Sequence, residues 1–294
     1  MERKLYKFSG AGNDFVVIDG REGDVASFRE VARIEALCRE FRTDGLMILG
    51  QEMPGQAGHD VKAGHDVMAD PDRPSVDFIM EFYNPDGSGG MMCGNGGRCI
   101  VAFADYLGIR PSCHPELAEG SYLFRAPDGL HTGEILARPE DGLWEVRIKM
   151  IDVQGITPML GGFFLNTGTR HFVKFVDDVE QVDIDTEGKA LRWDPSFAPV
   201  GTNVNFVHVA PDGLHVRTFE KGVEGETLAC GTGLTASAIA AYHAGIPSVI
   251  PGEAKESYRL RARQDWLSVN FTPGADEKFT DVYLTGPARL VEIR

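Results

Sequence analysis

Two stretches lying far apart in the chain obey the same grammar, and that repetition limits the fold more than any other feature of the sequence. Setting Cys93 on Cys230 lets residues 82 to 109 (FYNPDGSGGMMCGNGGRCIVAFADYLGI) run without a gap against residues 219 to 246 (FEKGVEGETLACGTGLTASAIAAYHAGI). Identities fall at Phe82/Phe219, Cys93/Cys230, Gly94/Gly231, Gly96/Gly233, Ala104/Ala241, Gly108/Gly245 and Ile109/Ile246. These are seven of 28 pairs, where ordinary composition gives about two. A fainter echo, DFVVID at 14 to 19 and HFVKFVD at 171 to 177, starts a strand in each copy. A duplicated unit predicts two similar half-molecules, and 294 residues at 43% hydrophobic can fill two modest cores.

In each copy a polar, turn-forming stretch leads into Cys-Gly-X-Gly, then a helix-length apolar segment, then Gly-Ile where a left-handed cap fits. RCIVAFADYL and TASAIAAYHA are apolar around most of their circumference, which predicts helices enclosed on most sides by sheet. The strands to enclose them are present: LYKF, DFVVID, GLMIL, DFIMEFYN, WEVRIKM, GFFLNTG, HFVKFV, NVNFVHV, LHVRTFE and DVYLTG alternate β-branched or aromatic residues between turn formers. AGHDVKAGHDV (57 to 67) and SCHPELAEGS (112 to 121) read as surface loops, and their His and Asp lack a matching third metal ligand.

A formal charge of −15 argues against nonspecific attraction to nucleic acid or anionic membranes and favours a small-molecule partner. No stretch has the apolar length of a secretory signal or a membrane span, so the expectation is cytoplasmic. Five scattered cysteines (Cys38, Cys93, Cys99, Cys113, Cys230) suit a reducing compartment, not a disulfide framework, and none is spaced as a zinc ligand set.

A cysteine immediately before a helix that opens Gly-X-Gly faces unsatisfied backbone N–H groups and the positive end of the helix dipole. Its thiol is therefore expected below the ordinary value of about 8.5, and the glycines leave room for an anion to reach the N–H groups. If the two halves face each other, both helix starts converge on one ligand. A carboxylate then lies between them, with its α-carbon flanked by a thiolate and a thiol. Proton removal on one face and delivery on the other inverts a stereocentre, with N–H donors dispersing the developing charge. No metal site, nucleotide motif or pyridoxal lysine is legible, so no cofactor is expected. Cys38, Cys99 and Cys113 have no counterpart in the other copy and default to structural roles.

The chain resembles the diaminopimelate epimerase family nearly end to end, through KFSGAGNDFVVID, YNPDGSGGMMCGNGGRC, GTRHFVKFVDD, TNVNFV, FEKGVEGETLACGTG and LTGPARLVEI. Proline racemase relatives share the paired-cysteine logic but typically carry His after the first Cys-Gly, where this chain has Asn95. The resemblance implies an α/β (α+β) fold of two pseudo-symmetric domains, each a curled, mostly antiparallel sheet around a central helix. It divides the chain into residues 1–149 with 280–294, carrying Cys93, and 150–279, carrying Cys230. It implies a homodimer, no cofactor, and an amino acid substrate, LL-diaminopimelate, epimerised to the meso form in lysine and peptidoglycan precursor synthesis. Cys93 and Cys230 become the acid/base pair, and Gly94, Asn95, Gly231 and Thr232 offer N–H groups to the reacting carboxylate. Asn13, Asn84 and Asn203 match substrate-bonding positions, Glu220 an ammonium ligand and Lys221 a distal-carboxylate ligand; Thr169 and His171 are further candidates.

Departures from the family pattern gather at substrate recognition: Lys221 for Arg, Gly168-Thr169-Arg170-His171 for Gly-Asn-Pro-His, Gly45 after Asp44, and one extra residue between Lys221 and Cys230. They keep open a racemase of another amino acid using the same two thiols. A noncatalytic anion-binding or thiol-redox module, with Cys93 and Cys230 as a regulatory pair, is the competing reading from another class.

Overall fold

The first half opens with β1 (Tyr6–Gly10), β2 (Asn13–Asp19), α1 (Val31–Phe41), β3 (Gly45–Gly50) and β4 (Phe78–Tyr83), followed by the central helix α2 (Gly94–Tyr106). Strands β5 (Ser121–Ala126), β6 (Gly129–Ala137) and β7 (Leu143–Lys149) complete it. The second half contains β8 (Ile156–Met159), β9 (Gly162–Asn166), β10 (Arg170–Phe175), the short α3 (Lys189–Arg192), β11 (Asn203–Ala210), β12 (Gly213–Glu220) and β13 (Gly225–Thr227). Its central helix is α4 (Gly231–His243), followed by β14 (Glu256–Arg261), β15 (Trp266–Pro273) and β16 (Phe279–Ile293). This computed structural model describes residues 3–51, 74–90, 92–112, 117–138, 141–248 and 256–294. The 57–67 repeat and Cys113 lie outside the described residues.

The pairing pattern repeats as the sequence does. In the first half β2 pairs parallel with β3, β3 antiparallel with β4, and β4 parallel with β5; β10, β11, β12 and β14 repeat that alternation. The two echoing segments, β2 and β10, thus occupy the same place in their sheets. Pairing of β1 with β16 closes a ring of β1 to β7 and β16 around α2. The path β16-β15-β14-β12-β11-β10-β9-β8 curls around α4.

Enclosure follows from what each strand must bury. Phe15, Val17, Met47 and Leu49 face the core that contains α2, while their neighbours Val16, Ile18, Leu46 and Ile48 face a second cluster with Ile34, Leu37 and Phe41 of α1. Strands apolar on both sides need cover on both sides, and parallel pairs commonly have it. In the second half Phe172, Val204, Phe206 and Phe219 are covered on the outside by Val179, Ile184 and Phe197.

Helix α2 buries Ile100, Val101 and Phe103 completely. At about 1.5–3 kcal/mol per buried side chain, this outweighs the roughly 1 kcal/mol that each glycine in its first turns costs relative to alanine. Both central helices stop as expected: Gly108 and Gly245 take φ of 73° and 72°. The N–H groups of Ile109 and Ile246 then reach back to Ala104 O at 3.0 Å and Ala241 O at 2.9 Å.

The long last strand couples the halves. It pairs with β15 as far as Thr285, with β7 from Gly286 to Arg289, and with β1 from Arg289 to Ile293. On these pairings we propose a domain handover at Gly286, later than the residue 280 expected from sequence, because residues 280–285 lie beside β15. The outgoing connection runs beside the same strand, with Met150 N–H donating to Val282 O and Val153 bridging Phe279.

Candidate functional site

The two helices meet at their N-termini. Cys93 and Cys230 are the N-cap residues, both in extended backbone, and the glycine after each abuts its counterpart. A β-carbon added to Gly231 would lie 3.6 Å from the Gly94 Cα and 2.8 Å from the Leu284 Cδ2 methyl; one on Gly94 would meet that methyl at 2.9 Å. The glycines of the duplicated motif thus let one helix start approach the other, with Leu284 of β16 wedged beside both.

The two thiols sit in different settings. Cys93 Sγ accepts from Gly96 N–H at 3.2 Å, and the residue keeps open surface. Cys230 is buried, and its Sγ lies 3.4 Å from Thr232 Oγ1. Here the sequence expectation needs correction, because both thiols are raised above their ordinary value. For Cys93 loss of hydration is the largest cause, opposed by Gly96 N–H and Arg98 and reinforced by Glu220. Cys230 is pushed up to about 12, again by burial first, then by the Glu220 carboxylate. Donors at the helix start act in the expected direction, but in the unliganded site burial exceeds them.

Glu220, at the end of β12, is itself raised by burial, against a 2.9 Å hydrogen bond from Thr227 Oγ1. Its field reaches both sulfurs. Among the described residues no cation forms an ion pair with it. Lys221 is exposed; its backbone N–H donates to Asn203 Oδ1 at 2.8 Å.

The asparagines divide. Asn95 is buried and spans the halves, its Nδ2 donating to Asn13 Oδ1 at 2.5 Å and to Ala229 O at 3.2 Å. Asn13 is thereby tied to the start of α2, and its Nδ2 also reaches Asp44 Oδ2 at 3.3 Å. Asn203 donates to Arg170 O at 2.9 Å and Thr169 Oγ1 at 3.2 Å. The hydrogen bonds of Asn84 stay in its own turn, Nδ2 to Ser88 Oγ at 2.9 Å and N–H to Ser88 O. It is not drawn into this network.

Behind Thr232 runs a polar chain that sequence reasoning only touched. His171 is fully buried, with Nε2 at 2.9 Å from both Thr232 Oγ1 and Thr169 Oγ1. Asn205 Nδ2 faces the Phe172 carbonyl at 3.2 Å, which can only accept, and so donates to His171 Nδ1 at 3.0 Å as well. Thr218 Oγ1 donates to Asn205 Oδ1 at 2.9 Å. His171 therefore carries its proton on Nε2 and donates forward, which frees the Thr232 hydroxyl proton for Cys230. Asn205 was legible in principle: the alternation along β11 puts Asn203, Asn205 and Val207 on the α4 side and Val204 and Phe206 on the other.

Burial lowers His171 to about 3. A histidine held neutral in the fold contributes stability that is full above its unfolded value near 6.5 and is lost as pH falls toward 3. Acid unfolding followed by circular dichroism should show His171→Gln flattening that loss, which integrates to roughly 3–5 kcal/mol by pH 3.

Two departures from the family pattern receive structural reasons. A β-carbon at Gly45 would lie 2.8 Å from Tyr83 O, so β3 and β4 leave no room for a side chain. Arg170 packs within its own half, its guanidinium 5.0 Å from the Phe164 ring centroid and donating to Phe197 O at 3.2 Å. Cys38 and Cys99 are buried free thiols inside the cores. The residue the sequence gave least sign of is Arg98, a fully buried cation followed by the apolar run Cys99 to Ala104. No helix among the described residues is long and apolar enough to cross a membrane.

The diaminopimelate epimerase family model matches residues 163–291. A diaminopimelate epimerase of Flavobacterium psychrophilum is 35% identical over 98% of this chain and 98% of its own. One from Chlorobaculum tepidum is 35% identical over 96% of this chain and 97% of its own. Among solved structures, a PhzF-family phenazine biosynthesis protein of Bacillus anthracis superposes with a TM-score of 0.66 at 11% identity, covering 100% of this chain and 99% of that one. That last likeness speaks for the two-lobed fold alone, whereas near-full-length identity above 30% speaks for descent: the chain belongs to the diaminopimelate epimerase family of isomerases.

Proposed function

We propose that this protein interconverts LL- and meso-diaminopimelate without a cofactor, by two-base chemistry at Cys93 and Cys230, in the supply of lysine and peptidoglycan precursors. The observation that carries the reading is the abutment of Gly94 and Gly231, which brings two N-cap cysteines of a duplicated motif to one place from opposite halves. In the reaction one sulfur, as thiolate, removes the α-proton from one face. The C–H electron pair is left on the α-carbon and delocalised into the carboxylate, which the N–H groups of Gly94, Asn95, Gly231 and Thr232 receive. The opposite thiol then delivers its proton to the other face, so the two sulfurs exchange protonation states with each turnover.

Glu220, a partly buried carboxylate with no cation on it among the described residues, supports capture of the α-ammonium. Lys221 meets the distal carboxylate as a point charge, in place of the fork an arginine supplies. Asn13 and Asn203 act at the edges of the site, and Asn84 contributes from its own turn. A cytoplasmic homodimer completes the reading, with sedimentation in solution as the check on assembly.

The same thiols would serve a racemase of a smaller amino acid, for which Lys221 has no partner. Incubation of the purified protein with LL-diaminopimelate in deuterium oxide, followed by chiral separation, tests the choice. Meso product with deuterium at one α-carbon is expected. Exchange confined to amino acids lacking a distal amino acid group overturns the substrate assignment.

A further inference from the structure

Where the halves join lies a guanidinium with no carboxylate bonded to it among the described residues. Arg98 is fully buried, yet its three hydrogen bonds all go to neutral acceptors: Nε to Pro287 O at 3.3 Å, Nη1 to Gly94 O at 3.2 Å and Nη2 to Asn95 Oδ1 at 2.8 Å. A cation removed from water is costly unless a counter-charge accompanies it. The next turns of the helix offer none, since Cys99 to Ala104 are all hydrophobic and all buried, and the one acid of α2, Asp105, is held by Arg138 and Trp144. Negative charge can arise close by in two places, the Cys93 sulfur and an anion seated at the touching helix starts. A β-carbon built on Gly94 would lie 3.9 Å from Arg98 Nη1.

The same fork organises geometry. By holding Asn95 Oδ1 it aims the Asn95 amide donors at Asn13 and at Ala229, the residue preceding Cys230. Through Pro287 it also holds β16 just after that strand enters the first half. One side chain thus links the start of α2, the crossing strand and the entry to α4.

We propose that Arg98 is the internal counter-charge of the site: its guanidinium stabilises negative charge on Cys93 and on a carboxylate held between the two helix N-termini, while its fork fixes Asn95. The carboxylate part rests on the two-thiol reading above; the Cys93 part does not. The other groups whose fields act here are Glu220 and Cys230 from the second half, Cys99 on α2, and more distantly Asp265 and Asp14. Glu220 opposes Arg98 at Cys93.

The test is the pH profile of iodoacetamide alkylation at Cys93, read by peptide mass spectrometry on the full chain. Wild type is compared with Arg98→Lys, Arg98→Gln and Arg98→Met, each shown to be folded by circular dichroism. The neutral variants are expected to move the midpoint up by about one pH unit, so that Cys93 reacts about tenfold more slowly at neutral pH. Arg98→Lys keeps the charge and should stay near the wild-type profile, while losing the fork and with it at least about tenfold in kcat. Two neutral variants are used because the Met side chain replaces a buried ion with apolar volume, which folds commonly accept.

A folded Gln or Met variant whose profile overlays wild type overturns the charge assignment, as does a Lys variant shifted as far as they are. A Lys variant with wild-type kcat overturns the clamp. Wild type that exchanges no amino acid α-proton, with the alkylation shift intact, removes the epimerase reading and leaves the counter-charge in place.

Discussion

Alanine at Cys93 or at Cys230 is expected to lower kcat for epimerisation by about 10³-fold or more, each alone, with the fold retained. General acid–base groups contribute about 10²–10⁴-fold individually. In a two-base inversion neither thiol can cover for the other, because the substrate carbon presents opposite faces to them. The two losses should therefore be similar in size and far from additive in the double variant. Chiral chromatography of LL-diaminopimelate incubations gives the rates. A single variant that keeps more than about a tenth of wild-type kcat excludes the two-base scheme. Alanine at buried Cys99 removes a sulfur from the same helix and should leave kcat within a few-fold, which separates chemistry from packing.

Much of this architecture was written in local chemistry. The Cys-Gly-X-Gly motif announces a helix start, the Gly-Ile pair its end, and the β-branched and aromatic runs the strands between. Each is decided within a few residues, so each could be read without knowing the partner. Strands β5, β6, β8, β13, β14 and β15 were not among the segments expected, although SYLFRA, ESYRLR and WLSVNFTP carry the same polar–apolar alternation. Only closure of the second sheet around α4 makes Tyr258, Leu260, Val269 and Phe271 core residues.

The thiol shifts went the other way from expectation for a related reason. The N–H donors and helix dipole are visible in the motif, but the loss of hydration at the sulfurs belongs to the assembled fold. Arg98 is hidden similarly. In sequence it reads as one polar residue at a helix start, and only the enclosing sheet turns it into a buried cation with no counter-ion among the described residues.

Glutamine at Glu220 is expected to move catalysis and thiol reactivity in opposite directions. The carboxylate raises both Cys93 and Cys230 through its field, so removing its charge should lower both thiols and speed alkylation of Cys93 below pH 9. That is the reverse of the effect expected from neutralising Arg98, which makes the pair an internal check on sign. Catalysis should nonetheless fall. An ammonium left without its carboxylate partner costs about 3–5 kcal/mol at a desolvated ion pair, or roughly 10²–10⁴-fold in kcat/KM.

The two effects join in the wild-type protein. On the proposed reading, an arriving ammonium would neutralise Glu220 and so relieve one cause of the raised thiols at the moment a thiolate is needed. Substrate binding would then generate the base, and the free enzyme would keep its sulfurs protonated and less open to oxidation. Alkylation profiles of wild type and Glu220→Gln measured in parallel, together with kcat/KM for LL-diaminopimelate, decide the matter. Slower alkylation in the variant would refute the coupling, and unchanged kcat/KM would refute the ammonium site.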